Sequence, residues 1–323
     1  MLLYVGYSSF KKQNYKKHQS DLFVRNKRRK TFFYKGVLMR INFKKSFATL
    51  LLLTGIMVTQ SLSALAQGTL LAMTPSKAVG DPSVAASVAA ANPSGVYTFT
   101  GTTTEHQNQL LKQYFKNSVI IGDSIGCGWG YQAIKYPTDP VMGNFLYLAC
   151  PGFCVHSAFD DTIEDPGTPT YKGVKHPVWE SLKLLAEDFH PGETTHIYLH
   201  FGYKDQKWND TPELYVKLIQ TLQEYVPDSD VTIIGASYMY PGKSGGPYTS
   251  ENIKKLNLAM QKYANTYGWG YVNVGDPLAN KNGDLNPAYC CDEFMHLTEG
   301  GYDIWKKSLM GYAFARMAAA GIS

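Results

Sequence analysis

Nowhere does the 323-residue sequence hold an apolar run long enough to span a bilayer: the longest, residues 47–58, covers 12 positions, against ~20 for a membrane helix. That excludes a multi-span membrane protein. No internal repeat is visible, so a solenoid or propeller is excluded as well. The five cysteines contain no Cys-x-x-Cys pair, which argues against a Cys-rich zinc site. Charge is sparse at 18%, but 44% hydrophobic residues are enough for a core, so the chain is not a disordered tail. Acidic residues are almost missing from the first fifth. Residues 1–66 carry 13 of the 31 Lys and Arg but one acidic residue, Asp21.

The formal charge of +5 therefore joins two unlike parts. Residues 67–323 keep 18 basic residues against 25 acidic ones, a net of −7. An acidic body argues against a nucleic-acid or anionic-lipid partner. Within the basic part, Met39 opens a three-part pattern. Arg40, Lys44 and Lys45 come first, then the apolar run, then Ser63-Ala64-Leu65-Ala66 before Gln67. This is the layout of a secretory signal peptide over residues 39–66, cleaved after Ala66. A secreted or extracellular protein is expected, with no stable membrane insertion once the leader is removed. Residues 1–38 suit either a nucleic-acid-binding arm or a segment upstream of the true start. The second reading is preferred, because Met39 alone supplies a complete leader.

Residues 67–105 shift to Ala, Ser, Thr, Pro and Gly without an amphipathic period and read as a flexible linker. Residues 106–323 suffice for one core and are too few for two ordinary domains. There, short buried strands are predicted at 118–121, 145–148, 196–201, 231–235 and 271–274. Helices are predicted at 106–116, after Ser124, and at 179–189, 212–225, 251–267 and 300–319. In the fourth of these, Leu214, Val216, Leu218, Ile219 and Leu222 form the apolar stripe. Strands alternating with helices imply an α/β fold: a parallel five-stranded sheet with helices on both faces. In such sheets the site lies beyond the carboxyl ends of the strands.

Three strand ends carry chemistry. The first ends in Gly122-Asp123-Ser124, which places a hydroxyl at the start of a helix, beside backbone N–H groups that can hold an oxyanion. The second ends in Cys150-Pro151-Gly152, where Gly permits close approach to a ligand. After the third come Gly202-Tyr203-Lys204-Asp205. Ahead of the last helix, Asp292 and Glu293 precede His296 by four and three residues. A carboxylate so placed orients an imidazole, which can then deprotonate Ser124.

With these residues in view, the chain resembles the SGNH/GDSL hydrolases over roughly residues 115–312. The resemblance rests on Val119-Ile120-Ile121-Gly122-Asp123-Ser124 and on His296-Leu297-Thr298-Glu299-Gly300-Gly301-Tyr302. It implies a flavodoxin-like three-layer α/β/α sandwich and a Ser/His/acid esterase that needs no cofactor. It also implies an oxyanion hole built from the N–H groups of Ser124 and Gly152 and a third donor after the third strand. There the family has Asn in Gly-x-Asn-Asp, and this chain has Lys204. An ammonium on a flexible stem is less pre-organised than an amide, and Gln206 is a substitute donor. The family's Asp-x-x-His becomes Glu293-x-x-His296, with Asp292 one residue further back. Spacing favours Glu293 as the orienting acid, while residue type favours Asp292.

All five cysteines fall near these elements. In an oxidising compartment, bridges Cys150–Cys154 and Cys127 to Cys290 or Cys291 are expected. His196 and His200 alternate with apolar residues and are expected to face a helix layer, not a metal. His156, His176 and His190 lack partner spacing. Trp129, Tyr131, Tyr203 and Trp208 lie near site loops and suit either sugar stacking or core packing. The function expected is a secreted serine esterase that removes acetyl or short acyl groups from an acylated small molecule or a glycan, with a polysaccharide or cell-wall glycan preferred. A catalytically decayed glycan-binding protein and an acyltransferase to a sugar are the alternatives.

Overall fold

The computed structural model describes residues 80–160 and 167–322. The basic extension, the leader and the start of the expected linker lie outside these residues. Five short runs form the strands β1 (Ser118–Gly122), β2 (Phe145–Ala149), β3 (Thr195–His200), β4 (Ser229–Ile234) and β5 (Gly270–Val272). They pair in parallel in the order β2-β1-β3-β4-β5. Every residue of β1 and β3 is buried. Strands covered on both faces need apolar side chains on both, and these two are central. Parallel neighbours require crossovers, which the helices supply. The expected α/β/α architecture is the one found.

Among the described residues, the α-helices of five or more residues are α1 (Pro82–Ala91), α2 (Glu105–Tyr114), α3 (Ser124–Lys135), α4 (Val155–Phe159), α5 (Val178–Phe189), α6 (Thr211–Tyr225), α7 (Ser250–Tyr267) and α8 (Glu299–Ala319). One layer is α3 and α8, with α2 beside α8; the other is α5, α6 and α7. Helix starts are written in the sequence. Thr104 and Gln107 make a capping box on α2, and Thr249 and Thr298 cap α7 and α8. On α6 the buried stripe is Tyr215, Val216, Leu218, Ile219 and Leu222, so Tyr215 takes the place expected of Leu214. Between α3 and α8, Trp129 and Trp305 are fully buried with ring centroids 5.6 Å apart. Trp305→Ala should cost about 3–5 kcal/mol.

From residue 80 onward, the expected linker is not a spacer. Asp81 caps α1 by accepting from the Ser83 N–H, and Pro82 starts the helix. The buried pair Ala85 and Val88, at i and i+3, lets α1 lie against α7, α8 and the β5 edge. Tyr97 then packs edge-on against Tyr312 at 5.1 Å, and the Phe99 N–H donates to the Lys307 carbonyl. Ala-rich composition reads as low complexity, yet Ala is the strongest helix former and fits tight gaps.

Candidate active site

The Gly122-Asp123-Ser124 turn is held from below. Asp123 is buried, and its Oδ1 accepts from the Ile125 N–H at 2.8 Å, capping α3. Ser124 therefore starts the helix at the carboxyl edge of the sheet, partly exposed. Two residues of α3 fix its seat against α8. Tyr302 Oη donates to the Ile125 carbonyl at 3.0 Å. A Cβ on Gly128 would lie 1.7 Å from that same Oη, so glycine alone allows the approach.

His296 reaches Ser124 from the opposite end of the chain. Its Nε2 lies 2.8 Å from Ser124 Oγ, and its Nδ1 pairs with Asp292 Oδ2. Asp292 Oδ1 also accepts the N–H groups of Phe294, Met295 and His296 at 3.0–3.2 Å and the Cys290 thiol at 3.4 Å. Burial pushes this carboxyl up. The hydrogen bond and charge of His296, with the backbone donors, outweigh it and hold Asp292 at about 2. Of the two acids, Asp292 is the one that lies against the imidazole. Glu293 occupies the exposed tip of the turn in the left-handed region (φ 53°) and does not hold the imidazole. The short Asp side chain can fold back on its own N–H groups, which the longer Glu does poorly. Met295 and Leu297 are buried and anchor the turn, and the Cys291 N–H donates to the His296 carbonyl at 2.9 Å.

On the loop after β2, Gly152 adopts φ 79°, a conformation costly for other residues. The Phe153 N–H donates to the Cys150 carbonyl, closing this loop at 3.0 Å. Lys204 starts the 3₁₀ turn Lys204–Lys207. Gln206, the substitute donor considered above, is held at both ends: its Oε1 accepts from the Thr249 N–H at 2.8 Å and its Nε2 donates one N–H to the Tyr203 carbonyl at 3.2 Å.

Two acidic residues without a sequence role stand behind this loop. Asp205 is 2% exposed, and its Oδ1 accepts from the Val155 N–H at 2.8 Å. Burial, with the charge of nearby Asp123, pushes its carboxyl up to about 7 against the pull of backbone donors. Asp210 takes His156 Nε2 at 3.1 Å, and the His156 ring stacks on Trp208 at 4.1 Å. The signal for Asp205 was the acidic end of Gly202-Tyr203-Lys204-Asp205; that for His156 was absent.

The remaining expectations divide. His200 is buried against Trp305 (4.8 Å), with Nδ1 3.6 Å from Asp123 Oδ1; His196 Nδ1 sits 2.5 Å from Asp230 Oδ1. His200 thus meets the helix layer through Trp305, whereas the partner found for His196 lies on the neighbouring strand. Trp129 belongs to the core, whereas Tyr203 stacks on Tyr248 at 4.7 Å and meets Phe294 edge-on at 5.1 Å, beside the His296 turn. The structure forms no disulfide among the cysteines. Cys154 is buried with its thiol 3.5 Å from Ser157 Oγ at the start of α4. Among the described residues, no group of three or more His, Cys, Asp and Glu side chains is arranged to hold a metal ion. No described helix is long and apolar enough to cross a membrane.

No curated protein matches the chain. Among solved structures, a GDSL-like lipase from Bacteroides thetaiotaomicron is 14% identical, covering 73% of this chain and 98% of its own, with a TM-score of 0.45. An acetylxylan esterase from Geobacillus stearothermophilus, solved as a catalytic mutant, is 12% identical, with coverages of 64% and 95% and a TM-score of 0.39. The model of the GDSL-like Lipase/Acylhydrolase family matches residues 120–304, which span both the Ser124 turn and His296. The chain belongs to that family and is a carboxylic ester hydrolase.

Proposed function

We propose that the protein is an exported serine esterase that removes acetyl or short acyl groups from a glycan or a small acylated molecule. The observation that carries this reading is the Ser124–His296–Asp292 relay. Ser124 Oγ attacks the ester carbonyl as His296 Nε2 takes its proton. The carbonyl oxygen becomes an oxyanion, held by the N–H groups of Ser124 and Gly152 and by the Lys204 ammonium. Collapse expels the alcohol, protonated by His296, and leaves an acyl-serine. Water, deprotonated by the same nitrogen, attacks the acyl carbon and releases the acid and Ser124. Asp292 keeps the Nδ1 proton in place and stabilises the imidazolium.

The glycan preference draws support from the aromatic residues Tyr203, Tyr248 and Phe294 beside the His296 turn. Export rests on the leader-like residues 39–66 and the acidic body. Purified protein should hydrolyse p-nitrophenyl acetate and Ser124→Ala should not. Protein no faster than buffer, yet retaining glycan on a column, would favour the decayed binding protein instead. Acyl transfer to an added sugar, measured by product analysis, would favour the transferase. N-terminal sequencing of exported protein tests the leader, with Gln67 the expected first residue.

A further inference from the structure

The two loops to which the esterase reading assigns oxyanion donors are separate in sequence and are joined by a set of contacts that the relay itself does not use. One loop follows β2 and carries Gly152; the other follows β3 and carries Lys204. Between them, the buried Asp205 carboxylate accepts from the Val155 N–H at 2.8 Å and also receives the backbone N–H groups of Gly202 and of Asp205 itself. Its own carbonyl is held by Thr211 Oγ1 at 2.7 Å, which ties the latch to the start of α6. Further out, His156 is clamped by Asp210 and by the face of Trp208. Burying an ionisable group is costly unless its hydrogen bonds are made, and an apolar residue would serve a merely structural junction more cheaply. A single carboxylate facing donors from both loops has a geometric consequence: neither loop can shift without breaking a buried bond.

We propose that Asp205 is a positioning residue, a latch that sets the distance between the Gly152 and Lys204 oxyanion donors. The inference rests on the esterase reading for its catalytic consequence, although not for the latch itself. Oxyanion donors act only when already placed at the position where charge develops. Loosening the latch should therefore spare the uncharged substrate and penalise the charged transition state. The acceptor must sit on the β3 loop one residue after Lys204, so the donor and its support move together.

The experiment compares wild type, Asp205→Asn and Asp205→Ala in the full chain, with Ser124→Ala as reference. Asp205→Ala should lower kcat on p-nitrophenyl acetate about ten- to a hundredfold, a fraction of the loss from deleting a whole donor, with KM within about twofold. Phenylboronic acid, which forms a tetrahedral anion on the serine, should lose affinity by the same factor. Asp205→Asn keeps one acceptor oxygen and should recover part of both losses. If these variants fail to fold, Thr211→Val, which frees the Asp205 carbonyl, should give the same pattern more weakly. Unchanged kcat, or a loss confined to KM with boronate affinity intact, would overturn the latch. Should wild type itself not hydrolyse the ester, the esterase reading falls. Hydrogen exchange then decides the latch alone: faster exchange at residues 152–155 in the variant supports it, and unchanged protection overturns it.

Discussion

His296 Nε2 and Ser124 Oγ lie 2.8 Å apart across 172 residues of sequence, so the two ends of the folded body meet at one hydrogen bond. The parallel sheet makes this contact possible. Ser124 follows the central strand β1 and His296 precedes α8, which packs on the same face as α3. Since Asp292 and His296 share a turn, the identity of the orienting acid is open to a direct test. Asp292→Asn should lower kcat about 10³–10⁴-fold by disturbing the imidazole tautomer. Glu293→Gln should change it less than about twofold. Steady-state kinetics on p-nitrophenyl acetate distinguishes them, and a larger loss from Glu293→Gln would reverse the assignment.

Lys204 occupies the place of the family's Asn. If its ammonium supplies the third oxyanion contact, Lys204→Ala should lower kcat about 10²-fold or more and leave KM nearly unchanged. Lys204→Asn should retain most of the rate. Gln206→Ala should affect thermal stability instead, through the lost acceptor for the Thr249 N–H. An equal kcat loss at both positions would point to general loop damage.

Asp205 makes stability depend on pH with a defined sign. Its folded-state value is raised to about 7 from an ordinary value of 3.8, so the folded protein keeps a proton that the unfolded chain has already released. Protons bound to the folded state alone stabilise it. That contribution is full below about 4 and is lost as pH rises through 7, up to a few kcal/mol in total. Buried Asp123, Cys154 and Tyr215 interact with the same carboxylate. Relative to wild type, Asp205→Asn should therefore gain stability between pH 5 and pH 8 in urea titrations. A constant difference across that range would contradict it.

Asp292 has the opposite sign. Held at about 2, its carboxylate contributes stability that is present above the ordinary 3.8 and lost as pH falls toward 2. A third of the side chain is exposed, so solvent screens the effect. Acid unfolding of Asp292→Asn should show a shallower loss between pH 4 and pH 2 than wild type. A parallel loss would mean that the Asp292–His296 pair adds nothing to folding.

Gly128→Ala tests the seat of the nucleophile helix. The added methyl would overlap Tyr302 Oη, so α3 or α8 must shift, at a cost of about 1–3 kcal/mol. Melting temperature and kcat should fall together, and pairing with Tyr302→Phe should recover part of the stability.

Most of the architecture was legible because buried parallel strands are nearly continuous apolar runs: 118–121 and 145–148 differ from the observed strands by a single residue each. Ser124 and His296 were legible from their place at chain positions that a parallel sheet brings to one edge. Asp292 was not separable from Glu293, because the choice depends on a φ of 53° at Glu293 and on three backbone N–H groups turning inward. The contacts made by Asp205 and His156 were invisible for a related reason. Their partners, Val155 and Trp208, are 50 and 52 residues away, and no local period encodes a contact between two loops. Residues 82–99 failed differently: an Ala-rich helix has too weak an apolar face to announce itself, and its docking depends on Tyr271 and Tyr312 far downstream.

A relay of three side chains is ordinarily a three-body alignment, and each separately placed group adds its own loss of freedom. Here four donors gather on Asp292 Oδ1 within residues 290–296, so acid and base arrive as one rigid cassette. Folding then has to solve a two-body problem, docking that cassette on the end of β1. Sequence drift in the loops between them is correspondingly cheap, provided the strand end and the start of α8 hold their places.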